Sequence, residues 1–183
     1  SALSSLPSYT QLGMASLLPH EKNALNIADN RTGTVRIASQ STQGTDNRDK
    51  ILKGVFGERG SALQAKQVLD NTFTENRKLF TKGCVSYVYH NRIDHTGDKM
   101  QSEGEAFEAV EKAFEELVKL LKRLASADVY NVLITSDHGF IYQNKALEES
   151  DFLANDVKGD VLYNDRRFVL GKNLHCSGAL KVF

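Results

Sequence analysis

Asp94 and Asp98 are separated by three residues that include Gly97, so one turn of the loop brings the two carboxylates together. Paired carboxylates are what a divalent cation takes from a protein. Acid-rich loops with glycine also form turns and helix caps, and the spacing alone is compatible with either role. Asp137-His138-Gly139 pairs a hard oxygen ligand with an imidazole directly after an apolar run, with a glycine that permits close backbone approach. Gathering Asp94, Asp98 and Asp137 without a cation would raise their pKa values by like-charge repulsion, a cost that a metal removes. Convergence of these acids therefore argues for metal. Thr10 is a candidate nucleophile, because its hydroxyl falls at the start of an expected helix, where free N–H groups favour phosphate. Capping by Ser8 or Thr10 is the plainer role for the same hydroxyls. A threonine hydroxyl is a poor nucleophile at neutral pH and needs a metal to lower its pKa, so the two readings stand or fall together.

The elements that must position these residues are partly visible in the pattern. Tyr9 to Leu18 reads as a short amphipathic helix stopped by Pro19. After a polar, Asn-rich stretch, Val35 and Ile37 alternate with polar neighbours as in a short strand. A loop over 41–47 then leads to a helix near Arg48 to Phe56, and Gly57 and Gly60 punctuate its end. Helical patterning covers Ser61 to Leu69 and Thr74 to Phe80, and a strand is expected from Cys84 to about Asn91. From Glu105 to Leu124, Phe107, Val110, Phe114, Leu117, Val118, Leu121 and Leu124 recur at three- and four-residue steps, which predicts a long amphipathic helix with a solvated charged face. Tyr130 to Ile134 reads as an interior strand, and short strand-like runs follow at Val161 to Tyr163 and Phe168 to Leu170. Strand, helix, strand implies a right-handed parallel crossover, hence a layered α/β fold with a mainly parallel sheet flanked by helices. In such sheets chemistry gathers beyond the carboxyl ends of the strands, where Asp94, Asp98, Asp137 and His138 fall.

The chain has 183 residues, 40% of them hydrophobic, and 23 basic residues balance 23 acidic ones. That is the composition of an ordinary globular domain, without the basic excess of a typical nucleic-acid binder. Cys84 and Cys176 match neither a disulfide framework nor a zinc spacing, and no stretch has the roughly 18 apolar residues that span a bilayer. A cytoplasmic protein with no membrane partner is expected. The chain opens at Ser1 rather than Met and moves almost at once into Leu6-Pro7-Ser8-Tyr9-Thr10, so further sequence upstream is expected. His20, His90 and His95 read as helix-end or strand-face residues. His175, Arg166 and Arg167 have no supporting pattern, and Ser41 to Thr45 lacks the Gly-Lys ending of a P-loop.

Leu6-Pro7-Ser8-Tyr9-Thr10-Gln11-Leu12-Gly13-Met14-Ala15, Val88-Tyr89-His90-Asn91-Arg92-Ile93-Asp94, Thr96-Gly97-Asp98 and Ile134-Thr135-Ser136-Asp137-His138-Gly139-Phe140-Ile141-Tyr142 occur in the same order as in the PglZ family. The chain resembles that family, part of the alkaline phosphatase superfamily. The resemblance implies an alkaline-phosphatase-like domain of a bacteriophage exclusion (BREX) defence system, present here over 1–183 without its first strand and its C-terminal part. It implies a metal-dependent phosphoester hydrolase with Thr10 as nucleophile and Asp94, Asp98, Asp137 and His138 as ligands. Two divalent ions are expected in the complete protein, with zinc, manganese and magnesium all open. Asp98 stands where many superfamily members have histidine, which makes the site richer in oxygen. The superfamily's early aspartate and late histidine have no match in this chain, so the isolated fragment is expected to lack turnover. The implied partners are other BREX proteins, including a DNA methyltransferase, and a phosphoester substrate that extends to nucleic acid. A nuclease or phosphodiesterase variant uses the same parts. A catalytically silent, phosphatase-like scaffold module of the defence complex is the alternative.

Overall fold

The computed structural model describes residues 5–28, 32–93, 106–139, 157–165 and 168–177. The chain divides into two units, one formed by Ser1–Gln43 with Ser136–Phe183 and the other by Gly44–Thr135.

In the first unit, α1 (Thr10–Ser16) follows Tyr9, whose extended backbone makes it the N-cap. Strands β1 (Leu25–Ile27), β2 (Val35–Ile37) and β3 (Gln40–Ser41) form a small antiparallel sheet in that order. β1 escapes the sequence pattern because only three residues pair, within a polar stretch. Thr42, fully buried, donates its hydroxyl to the Val35 carbonyl at 2.8 Å and so seals the end of the sheet. Tyr9, Leu12, Ala15 and Val35 make the core, with Leu25, Ile27, Phe168 and Leu170 packed against it. The late strand-like runs belong to a longer hairpin, β6 (Val157–Asn164) with β7 (Val169–Cys176), which is antiparallel with two register shifts.

The second unit begins with α2 (Thr45–Phe56), a 3-10 turn at Gly57–Arg59 and β4 (Gly60–Gln64). The helix expected from Ser61 is therefore a strand over its first four residues. Gly60 to Gln64 pair in parallel with Val85 to Tyr89, and this tertiary pairing overrides the helix-forming tendency of Ala-Leu-Gln. Beside it, Asp49 Oδ1 on α2 accepts the Ala62 N–H at 2.9 Å. Gly60 is required for packing, since a Cβ there would stand 2.4 Å from the Leu52 carbonyl oxygen. Helices α3 (Ala65–Asp70) and α4 (Phe73–Leu79) form the crossover to β5 (Val85–Tyr89). A capping box at Thr72 and Glu75 starts α4. The long helix is α5 (Ala106–Ser126).

Leu63, Ala65, Val68, Leu120 and Leu124 form the core of this unit. The buried stripe of α5 runs through Ala109, Ala113, Leu120 and Leu124, whereas Phe114 and Val118, expected on the core face, are exposed. The apolar band is wider than the surface that covers it.

The fold is mixed α/β; among the described residues, parallel pairing is confined to β4 and β5, and the other two sheets are antiparallel. One expectation about the sheet needs correction. Tyr130 to Ile134 is not a strand: it has no ladder partner among the described residues, and Leu133 is 89% exposed. A strand requires a hydrogen-bonded neighbour as well as an apolar run. Among the described residues no helix is long and apolar enough to cross a membrane.

Candidate active site

Thr10 is the first residue of α1, and Tyr9 provides no side-chain cap. The Thr10 hydroxyl turns toward another segment: its Oγ1 lies 3.1 Å from His138 Nε2. Tyr9 fixes this end of the helix. Its buried ring packs 4.9 Å from that of Phe168, centre to centre, and its hydroxyl donates to the Gly33 carbonyl at 3.2 Å. Burial first, and then the neighbouring Tyr163, push the Tyr9 phenol up to about 12, so it remains a neutral donor at ordinary pH.

Asp137 and His138 lie in an irregular segment that packs against α1. Their side chains are only 15% and 13% exposed. His138 Nδ1 is 2.8 Å from the Gly139 carbonyl oxygen, which can only accept, so Nδ1 is the donor of that bond. With a single hydrogen on the ring, Nε2 accepts from the Thr10 hydroxyl. Asp137 Oδ2 lies 3.5 Å from the same nitrogen, within ion-pair distance, and is buried without a hydrogen-bond partner among the described residues. A carboxylate oxygen and an imidazole nitrogen thus sit side by side next to a hydroxyl, in surroundings that penalise an unsatisfied charge.

The two separations around His138 Nε2 match those of ligands sharing one divalent cation. Ligands sharing one first-row ion at about 2.0–2.2 Å lie about 2.8–3.6 Å apart, according to coordination number. The 3.1 Å and 3.5 Å separations around His138 Nε2 fall in that span. Asp137 Oδ2, His138 Nε2 and the Thr10 hydroxyl are the atoms that would hold it, and the Gly139 carbonyl orients the imidazole as outer-shell partners of ligating histidines do.

Asp94 and Asp98 lie outside the described residues, as do His95, Arg166 and Arg167. Among the described residues no group of three or more His, Cys, Asp or Glu side chains comes together as a metal cluster. His20 bonds the Leu18 carbonyl and His175 sits exposed on β7. His90, just beyond β5, lies 2.7 Å from Glu116 on α5, and Arg92 pairs with the same carboxylate. A Cβ on Gly139 would meet no described atom within 4 Å, whereas Gly13 is closely approached. The glycine inside an otherwise regular helix was the only sequence signal, and Tyr9 gave none.

The BREX system PglZ alkaline phosphatase-like domain matches residues 1–180. The chain belongs to the PglZ family. It is 38% identical over 179 residues to the alkaline phosphatase-like protein BrxZ of Escherichia coli O9:H4 (strain HS), a match covering 95% of this chain and 20% of that protein. It is 37% identical over 169 residues to the alkaline phosphatase-like protein PglZ of Bacillus cereus (strain H3081.97), covering 90% of this chain and 19% of that one. The chain thus spans about a fifth of the length of these relatives. No solved structure matches it.

Proposed function

We propose that the whole protein to which these residues belong is a metal-dependent phosphoester hydrolase with Thr10 as its nucleophile. The observation that carries this reading is the Thr10 hydroxyl 3.1 Å from His138 Nε2, beside a buried Asp137 oxygen that has no hydrogen-bond partner among the described residues. Asp137 and His138 hold a divalent ion, and Asp94 and Asp98 are proposed as further oxygen ligands. When bound, the ion lowers the pKa of the threonine hydroxyl and offsets charge on the phosphoryl oxygens. The residues do the rest. Tyr9 and α1 orient the Thr10 oxygen. That oxygen bonds to phosphorus as the ester oxygen leaves, and water then attacks the phosphothreonine, returning the threonine hydroxyl and free phosphate. Zinc, manganese and magnesium are all compatible with a ligand set of this kind. The PglZ and BrxZ names of the relatives support association with other BREX components, a DNA methyltransferase among those we propose.

In the full-length protein, Thr10→Ala should lower phosphoester hydrolysis by about 10³-fold or more while metal binding persists. Calorimetry with manganese and zinc, on the 183-residue chain and an Asp137→Asn, His138→Ala double variant, tests the ligands. Binding lost in the double variant supports them. Undiminished hydrolysis by Thr10→Ala removes it from the mechanism, and a full-length protein without activity under any of the three metals supports a scaffold module instead.

A further inference from the structure

Gly13 lies three residues after Thr10 on α1, so the two occupy the same side of the helix, one turn apart. A Cβ built on Gly13 would stand 2.5 Å from the Asp137 carbonyl oxygen, 2.8 Å from its carbonyl carbon and 2.9 Å from its Cβ. Two of these three atoms are backbone, which does not swing aside as a flexible side chain does. The helix itself has no need of glycine here. Its hydrogen bonds run through the position, with the Gly13 N–H on the Tyr9 carbonyl at 3.0 Å and the Leu17 N–H on the Gly13 carbonyl at 3.3 Å. Glycine within a helix is disfavoured relative to alanine, so the local preference is overruled by the approach of Asp137.

We infer that Gly13 is a positioning residue of the Thr10–His138 pair: its missing side chain sets how closely α1 seats on the Asp137-His138 segment. An added methyl group pushes the helix and the segment apart by roughly 0.5–1 Å before the contact becomes ordinary. A retreat of that size takes a pair that starts at 3.1 Å out of hydrogen-bonding range. It likewise spoils a ligand set shared between the two elements. The placement claim stands on the geometry alone, while its consequence for metal rests on the function proposed above.

The test compares the 183-residue chain with Gly13→Ala and with Gly54→Ala, a glycine on α2 whose added Cβ would meet nothing within 4 Å. NMR reads the nuclear Overhauser contact between the Thr10 methyl group and the His138 ring, and calorimetry reads manganese and zinc affinity. Gly13→Ala is expected to lose the contact and to weaken metal binding by about 10–100-fold while the α1 amide shifts stay helical. Gly54→Ala should change neither. Retention of both contact and affinity in Gly13→Ala overturns the inference. Should the unsubstituted chain bind no metal, loss of the contact in Gly13→Ala still supports the placement role, and it is the metal reading that falls. If Gly13→Ala does not fold, a contact between the Gly13 Hα and Asp137 Hβ protons in the unsubstituted chain decides, and its absence overturns the inference.

Discussion

Gly44–Thr135 buries aliphatic side chains between helices and a parallel strand pair: Leu63, Val68, Leu120 and Leu124 meet there, and the buried Asn76 amide donates to the Val68 carbonyl. The other unit buries Tyr9 among Tyr163 and Phe168, joins it to the Gly33 carbonyl, and sets a helix directly on the Asp137 backbone. In the first arrangement dispersion is spread over many contacts, and the directional ones, at Asp49, Gly60 and Asn76, hold the scaffold together away from the candidate residues. The second depends on a few close, directional contacts. The described candidate chemistry lies in the second, where a shift of half an ångström decides whether Thr10 meets His138.

Cutting into the aliphatic cluster should have the largest effect. Leu120→Ala removes a nearly buried side chain from it and is expected to destabilise the chain by about 3 kcal/mol, read as a lower urea midpoint. A cost under about 1 kcal/mol would mean that aliphatic packing is not what distinguishes this unit.

A smaller change probes the other unit. Tyr9→Phe keeps the ring contacts with Tyr163 and Phe168 and deletes only the bond to Gly33. The expected loss is about 1 kcal/mol, the usual net worth of one hydrogen bond. In the parent chain, the phenol's upward shift adds a signature. A raised acid pKa favours the neutral folded form, so this contribution is present below the ordinary phenol value of 10.0 and is lost as pH rises toward about 12. Alkaline urea melts should show that decline in the parent and less of it in Tyr9→Phe. Equal curves would show that the hydroxyl does not anchor α1.

The same contrast explains what was legible in the sequence. The long helix, α2, α4 and β5 announced themselves through the spacing of apolar residues, because an aliphatic core selects by period. Its limits show at α5, where the apolar band is broader than the covered stripe and Phe114 and Val118 remain exposed. Period also misled at Ser61 to Gln64, where pairing with β5 decided the conformation, and at Tyr130 to Ile134, which has no ladder partner among the described residues. In the site, Thr10, Asp137 and His138 were legible by residue type. Their arrangement was not, because Tyr9 and Gly13 act through contacts with residues far along the chain. The Gly139 carbonyl that fixes the histidine tautomer is a backbone atom, on which residue type has no bearing.

The smallest expected effect lies at the exit of β5. The Arg92 guanidinium holds the Glu116 carboxyl down at about 2, against its own partial burial and with help from His90. A depressed carboxyl pKa stabilises the folded state above the unfolded value and ceases to do so as pH falls through the folded one. The contribution should therefore be whole above the ordinary carboxyl value of 4.5 and fade between there and about pH 2. Arg92 is 42% exposed, so solvent screens the pair and the effect is well below that of Tyr9→Phe. Glu116→Gln should flatten the acid limb of stability against pH while leaving the neutral plateau almost unchanged. This polar cluster joins the end of β5 to α5 two residues before Asp94. An acid limb identical in Glu116→Gln and the parent would leave aliphatic packing as the only support for that junction. A clear flattening would show that Gly44–Thr135, like the other unit, uses a directional contact where its chain leads toward candidate chemistry.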